Sequence, residues 1–211
     1  MSFGLYARKA RDPARPYGRR VSDFRSCVQL YRPLGYQATL SYLEKVAGPF
    51  QRDEQSLLRA LDALTASREL WKAEVRAYAA ERRQAKLRGQ RTPRPADPNP
   101  SSFPRHWYGA PREAALHALR FWHRSRLPKL LDPSDKLTED LHVCVLACLE
   151  SGGSLTAAQH QTFAKCKAGL RERLRPGIAR DDAMAYFRTR DFLTVARLLE
   201  TALGSSQPAD R

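Results

Sequence analysis

Glycine is scarce in this 211-residue chain, with 11 copies, and no Asn-Gly or Asp-Gly pair occurs. No segment shows sustained alternation of apolar and polar side chains. The usual signals of a β-hairpin are therefore missing, and no sheet is expected. Long apolar runs are missing too. No stretch approaches the roughly 18 uninterrupted apolar residues of a membrane-spanning helix. The first 20 residues hold no apolar run of the kind a secretory signal needs. The four cysteines, Cys27, Cys144, Cys148 and Cys166, then read as reduced thiols rather than as a disulfide framework. Together these absences point to a soluble, intracellular chain. They leave nucleus, cytoplasm and mitochondrion open.

The signatures of catalysis are also lacking. There is no Gly-x-Ser-x-Gly elbow, no Walker-type glycine loop and no dinucleotide fingerprint. Cys144 and Cys148 stand four apart, with His142, His160 and Cys166 nearby. Zinc needs four converging ligands, and the two-residue spacing of a zinc knuckle is absent. Cys144 lies among Val143, Val145 and Leu146, the setting of a small apolar core residue. The acid pairs Glu139-Asp140 and Asp181-Asp182 fall near expected helix starts, where the helix dipole favours carboxylates for structural reasons. The expectation is a protein that is not an enzyme and takes no cofactor and no metal.

What the chain does have is cationic surplus, and its placement is more informative than its size. The formal net charge is +15. Residues 1–20 hold six basic and one acidic side chain; residues 76–106 hold eight and two; residues 112–129 hold five and one. Those three segments, at +5, +6 and +4, carry the whole excess, because residues 21–75 hold seven of each sign and residues 130–211 eleven of each. Balanced blocks are ordinary surfaces. Unbalanced segments repel themselves unless a partner neutralises them, and polyphosphate is the commonest partner. A solvated surface kept for solubility, and binding to acidic proteins or lipid, are the alternatives.

Helical periodicity organises the rest. Residues 1–20, with Pro13, Pro16 and Gly18, read as a mobile basic arm; an organelle-targeting presequence is the alternative, with the prolines limiting any helix to its first two turns. An N-terminal helical block is expected over 21–88. It starts with a helix capped at Ser22 or Asp23 and running to Arg32, followed by a short helix at 37–47. A long helix then starts at Asp53 and extends toward Arg88, with a possible break at Thr65–Ser67. Residues 89–111 hold six prolines and form a proline-rich central linker ending in Phe103, His106, Trp107 and Tyr108. A C-terminal helical block covers 112–204, with helices at 112–127, 134–151, 156–175, 180–188 and 191–203, and 205–211 is a frayed tail. Ser134 is read as a cap, Thr156 with Gln159 as a capping box, and Pro176-Gly177 as a turn. The apolar run 143–149 is placed at the centre of the core. The fold class is all-α: about eight helices in an orthogonal bundle or stacked helical hairpins.

Two short patterns resemble known families. Leu30-Tyr31-Arg32 resembles the tripeptide of the mitochondrial LYR-motif proteins, small basic helical adaptors; Pro33 stands where that family's helix continues. The spacing of Tyr186, Phe192, Ala196 and Ala202 in the last expected hairpin is similar to a tetratricopeptide repeat, without its glycine and without a second copy. Neither covers more than a few residues.

The candidate interface has two patches. On the helix at 112–127, Arg120 and Arg124 lie one turn apart with His117 on the neighbouring strip, while Ala115, Leu119 and Trp122 face the packing side. Arg112, His123 and Arg126 belong to the same segment. The second patch is Arg82, Arg83, Lys86, Arg88, Arg91 and Arg94, a basic helix tail entering the linker, continued by Arg105. Arginine forks suit phosphate oxygens, and Trp107 and Tyr108 are candidates to stack on unpaired bases. His117 and His123 beside these arginines fit contact better than catalysis. The expected function is non-enzymatic nucleic-acid binding, RNA favoured over DNA, as a ribonucleoprotein component or RNA-coating factor. The alternative is a helical adaptor whose basic surfaces meet acidic proteins or a membrane surface.

Overall fold

The computed structural model describes residues 2–90, 92, 104–174 and 182–204. Among these residues the chain is all-helical, with no strand. It divides into two compact units, residues 1–110 and 111–211.

The first unit opens with α1 (Phe3–Arg11), where an aperiodic arm was expected. Ser2 caps it by accepting from the Leu5 N–H at 3.4 Å. Phe3, Ala7 and Ala10 recur at helical spacing and are buried, and α1 packs on α2 (Tyr17–Leu30). Pro13 and Pro16 separate these two helices rather than preventing the first one. They also move the start of α2 back from Ser22 to Tyr17. The helix α2 ends at Leu30, two residues short of the expected Arg32. It buries Val21, Phe24, Cys27 and Val28, and Phe24 meets Phe50 edge-on at 5.0 Å between centroids.

Helix α3 spans Tyr36–Ala47 and stops at Gly48, whose φ is 96°. A Cβ at Gly48 would come within 2.7 Å of the Ser56 Oγ. Glycine is thus required there by both backbone and space. Helix α4 (Glu54–Leu87) is the longest element, 34 residues without interruption. Asp53 caps it, accepting from the Ser56 N–H at 2.7 Å. Leu57, Ala60, Leu61 and Leu64 bury its first half. The expected weak point at 65–67 is instead a tie. Ser67 is buried, its hydroxyl lies 2.9 Å from the Tyr31 phenol, and it accepts the Tyr108 N–H at 3.0 Å. A side chain bonded to two distant segments has no need to cap a new helix.

The second unit begins with α5 (Pro111–Ser125), followed by the single turn α6 (Leu127–Leu130). Helix α7 (Lys136–Glu150) starts after Asp135 rather than at Ser134. The Ser134 hydroxyl donates to Asp132 at 2.7 Å and so takes no part in capping. Val143 is 52% exposed. The run 143–149 is therefore amphipathic in place, with Cys144, Val145 and Cys148 inward. Helix α8 (Ala157–Arg173) opens with the full capping box of Thr156 and Gln159. Asp135 receives a two-pronged contact from Arg173, at 2.6 and 2.8 Å, which joins the start of α7 to the end of α8.

Helix α9 (Ala183–Ala202) is one helix, where two were expected. Neither glycine nor proline interrupts residues 183–203, and the Thr189 hydroxyl donates to the Ala185 carbonyl within the continuous ladder. The tetratricopeptide-like spacing therefore belongs to no hairpin. The expected turn at Pro176-Gly177 lies outside the described residues. Helix α9 packs along α5 and α8. Ala114, Ala115 and Ala118 are buried on α5, and side chains this small let two helix axes approach closely.

All four cysteines are unpaired and buried. Burial pushes the Cys27 thiol up to about 12 and the Cys166 thiol up to about 11, so neither carries the thiolate that reactivity needs. No helix among the described residues is long and apolar enough to cross a membrane.

Candidate nucleic-acid interface

The three basic segments have different fates. Half of the cations in residues 1–20 are tied to acidic groups of the same unit. Arg11 meets Asp62 at 2.5 Å, Arg15 meets Asp23 at 3.3 Å, and Arg20 meets Glu54 at 2.6 Å. Arg20 is only 3% exposed, and its Nε also donates to the Ala10 carbonyl at 2.9 Å. This guanidinium stitches the end of α1 to the start of α4. The N-terminal surplus is in good part internal to the fold.

The basic end of α4 is arranged otherwise. Arg83, Lys86 and Arg88 are exposed and make no ion pair among the described residues. Arg82 is partly buried and donates to the Gln90 carbonyl at 3.2 Å, closing the helix end. Arg105 is exposed. Arg91 and Arg94 lie outside the described residues. At about 100° per residue, Arg83 and Lys86 share a strip with Arg76 and Lys72, two cations that fall outside the expected patch. The spacing Lys72, Arg76, Ala79, Arg83, Lys86 alternates four and three. Laying charge on a helical wheel, rather than counting it in windows, finds it. Glu74 and Glu81 fall on the other flank of the same helix, with Trp71, Val75 and Tyr78 between the two flanks on the packing side.

The aromatic half of the expected interface is rearranged. Trp107 is 5% exposed and packs edge-on against Tyr42, with centroids 5.0 Å apart. It is a core residue and presents no face to a base. Tyr108 is held by its backbone bond to Ser67 and by a phenol bond to Glu74; burial, and then that carboxylate, push its pKa well above the ordinary tyrosine value. It also stacks on His106 at 4.2 Å. These rings pin the end of the proline-rich segment to α3 and α4.

In the second unit, α5 separates its cations by helical phase. Arg120 and Arg124 are exposed and make no ion pair among the described residues. Glu113 and His117 share their strip, and His117 is half-buried. Arg112 and Arg126 lie toward the packing side of the wheel and are used there. Arg112 donates to the Ala202 carbonyl at 3.1 Å and to the Gly153 carbonyl at 3.3 Å, closing the ends of α9 and α7. A Cβ on Gly153 would meet the Arg112 guanidinium at 2.9 Å. Arg126 approaches Asp191 at 3.9 Å and lies over the Trp122 ring at 5.3 Å. His123 is also engaged: its Nδ1 lies 3.3 Å from the Nε2 of His142. The two rings stack with their centroids 5.5 Å apart.

Other candidate chemistry resolves into structure. Glu139 and Asp140 both pair with Lys136, at 3.4 and 2.8 Å. Asp182 caps α9 by accepting from the Ala185 N–H at 2.8 Å; Asp181 lies outside the described residues. No group of three or more metal-binding side chains converges among the described residues. No protein-family model matches the chain, and neither a curated protein nor a solved structure does.

Proposed function

We propose that this protein is a non-enzymatic nucleic-acid-binding protein, with RNA favoured over DNA, acting inside the cell as a ribonucleoprotein component or as a factor that coats RNA. The observation that carries the reading is the contrast among its cations. Where an acid lies within reach, as for Arg11, Arg15 and Arg20, the basic side chains use it. Arg76, Arg83 and Lys86 on α4, and Arg120 and Arg124 on α5, are exposed without such an ion pair among the described residues.

Long exposed cations repel one another, and releasing condensed counterions from a polyphosphate offsets that cost. Contacts of this kind hold the backbone and carry no sequence information. The reading therefore expects little preference among sequences. Fluorescence anisotropy with an RNA of mixed sequence tests it: affinity should fall log-linearly as salt rises. Micromolar protein that shifts no RNA and no DNA at low salt overturns the proposal. Binding to acidic protein or anionic vesicles instead would establish the adaptor alternative.

A further inference from the structure

We infer that the cationic flank of α4 is a docking ridge for the phosphate backbone of double-stranded nucleic acid, so that the protein prefers a duplex to a single strand. The inference rests on the nucleic-acid reading above and goes beyond it by naming the form of the polymer.

Geometry is the first support. Lys72, Arg76, Arg83 and Lys86 occupy one strip of a single uninterrupted helix, about 21 Å long at 1.5 Å per residue. Arg76, Arg83 and Lys86 are exposed, and Lys72 meets Glu69 at 3.0 Å. The helix is anchored through its buried first half by Leu57, Leu61 and Leu64 and through Ser67. Its cations are thus mounted on a rigid rod. A duplex carries one negative charge per about 1.7 Å of its axis, so roughly 12 phosphates lie within the length of the ridge. A row of cations on one uninterrupted helix matches a stiff, dense line of charge. A flexible single strand would have to be straightened to meet it.

Orientation is the second. Glu74 and Glu81 stand on the opposite flank of α4 together with Arg88, so the cationic excess is concentrated on the strip of Arg76, Arg83 and Lys86 and a phosphate surface is drawn to that side. This fixes the approach without reading any base.

The third support is what the unit withholds. Single-strand binders gain much of their affinity from bases stacked on aromatic side chains. Among the described residues of 1–110, no Phe, Tyr or Trp is exposed. Trp107 is packed on Tyr42, Trp71 lies against Tyr31 at 5.7 Å, and the Tyr108 phenol is bonded to Glu74. The rings nearest these cations, Trp71 and Tyr78, are half-buried, so the ridge offers more cation than stacking surface, which suits a helix whose bases are already stacked on one another.

The test uses the full chain with a short RNA duplex of mixed sequence and, at equal phosphate concentration, either of its separated strands. Affinity is measured by anisotropy between about 50 and 200 mM salt. The expected result is at least about tenfold tighter binding to the duplex. The triple variant Arg76→Glu, Arg83→Glu, Lys86→Glu should remove that preference. The neutral variant Arg76→Gln, Arg83→Gln, Lys86→Gln should lower the salt slope on duplex by about 2.7, at about 0.9 for each phosphate no longer neutralised. Circular dichroism checks that both variants keep their helix content; the glutamine variant decides the matter should the charge reversal misfold. Equal or tighter binding to the single strand overturns the inference and leaves the nucleic-acid reading standing. A duplex preference untouched by either variant overturns the ridge. Binding to neither form overturns both.

Discussion

In the N-terminal segment Arg11, Arg15 and Arg20 reach across to Asp62, Asp23 and Glu54. On the distal half of α4, Arg76, Arg83 and Lys86 make no ion pair among the described residues, although Glu74 and Glu81 belong to the same stretch of helix. Residues 1–20 contribute +5 to the net charge, and residues 76–106, which begin in this half of α4, contribute +6. The difference lies in what is brought alongside them. The helix α1 packs on α2 and finds the acids of neighbouring elements within reach. The distal acids of α4, Glu74 and Glu81, sit on the other flank of their own helix, and among the described residues neither pairs with Arg76, Arg83 or Lys86. A charge excess counted along a sequence therefore says how much cation there is and nothing of how much is available.

The largest expected effect calibrates this comparison by placing a charge where nothing answers it. Val145 is fully buried on α7, and Val145→Asp should destabilise the second unit by about 4 kcal/mol or more. Loss of that unit's cooperative transition in thermal unfolding, with the first unit's retained, is the readout. Next is Arg20→Ala, which removes the most buried internal cation with its bonds to Ala10 and Glu54. The expected loss in denaturant unfolding is about 2 kcal/mol. A change within about 0.5 kcal/mol would mean that the N-terminal cations are as idle as those of α4, and the comparison would fail.

Arg120→Ala with Arg124→Ala probes the opposite case. Stability should stay within about 0.5 kcal/mol, while the salt slope for RNA falls by about 0.7–0.9 for each phosphate that loses its arginine. Unchanged binding in that double variant would remove α5 from the interface. The smallest effect concerns pH. Burial, and then the neighbouring His123, hold His142 below its ordinary value. A histidine whose folded value is depressed binds its proton more readily when unfolded. The second unit should therefore keep this contribution at neutral pH and lose it as pH falls below about 6.5. His142→Gln should flatten that part of the unfolding profile.

Local chemistry was legible where a single residue decides a local event. Asp53 starts α4, Thr156 with Gln159 opens α8, and Gly48 closes α3. Each acts through backbone groups three or four residues away. Elements that depend on distant partners were read less well. The aperiodic look of residues 1–20 concealed α1 because three small or aromatic side chains, Phe3, Ala7 and Ala10, suffice to bury it. Ser67 resembles a cap in isolation, and its role as a tie depends on Tyr31 and Tyr108, 36 and 41 residues away. Trp107 resembles a free aromatic until Tyr42 covers it. The α5 cations were half legible: the wheel separates Arg112 and Arg126 from Arg120 and Arg124, but only the fold supplies Ala202, Gly153 and Asp191 as their partners.

Helicity and a segmented cationic excess are readable from residue order, because periodicity, capping and net charge are sums over near neighbours. Which cations are available depends on how the helices pack. An ion pair requires two groups within a few ångströms, and in this protein the acids that neutralise Arg11 and Arg20 are 51 and 34 residues away along the chain.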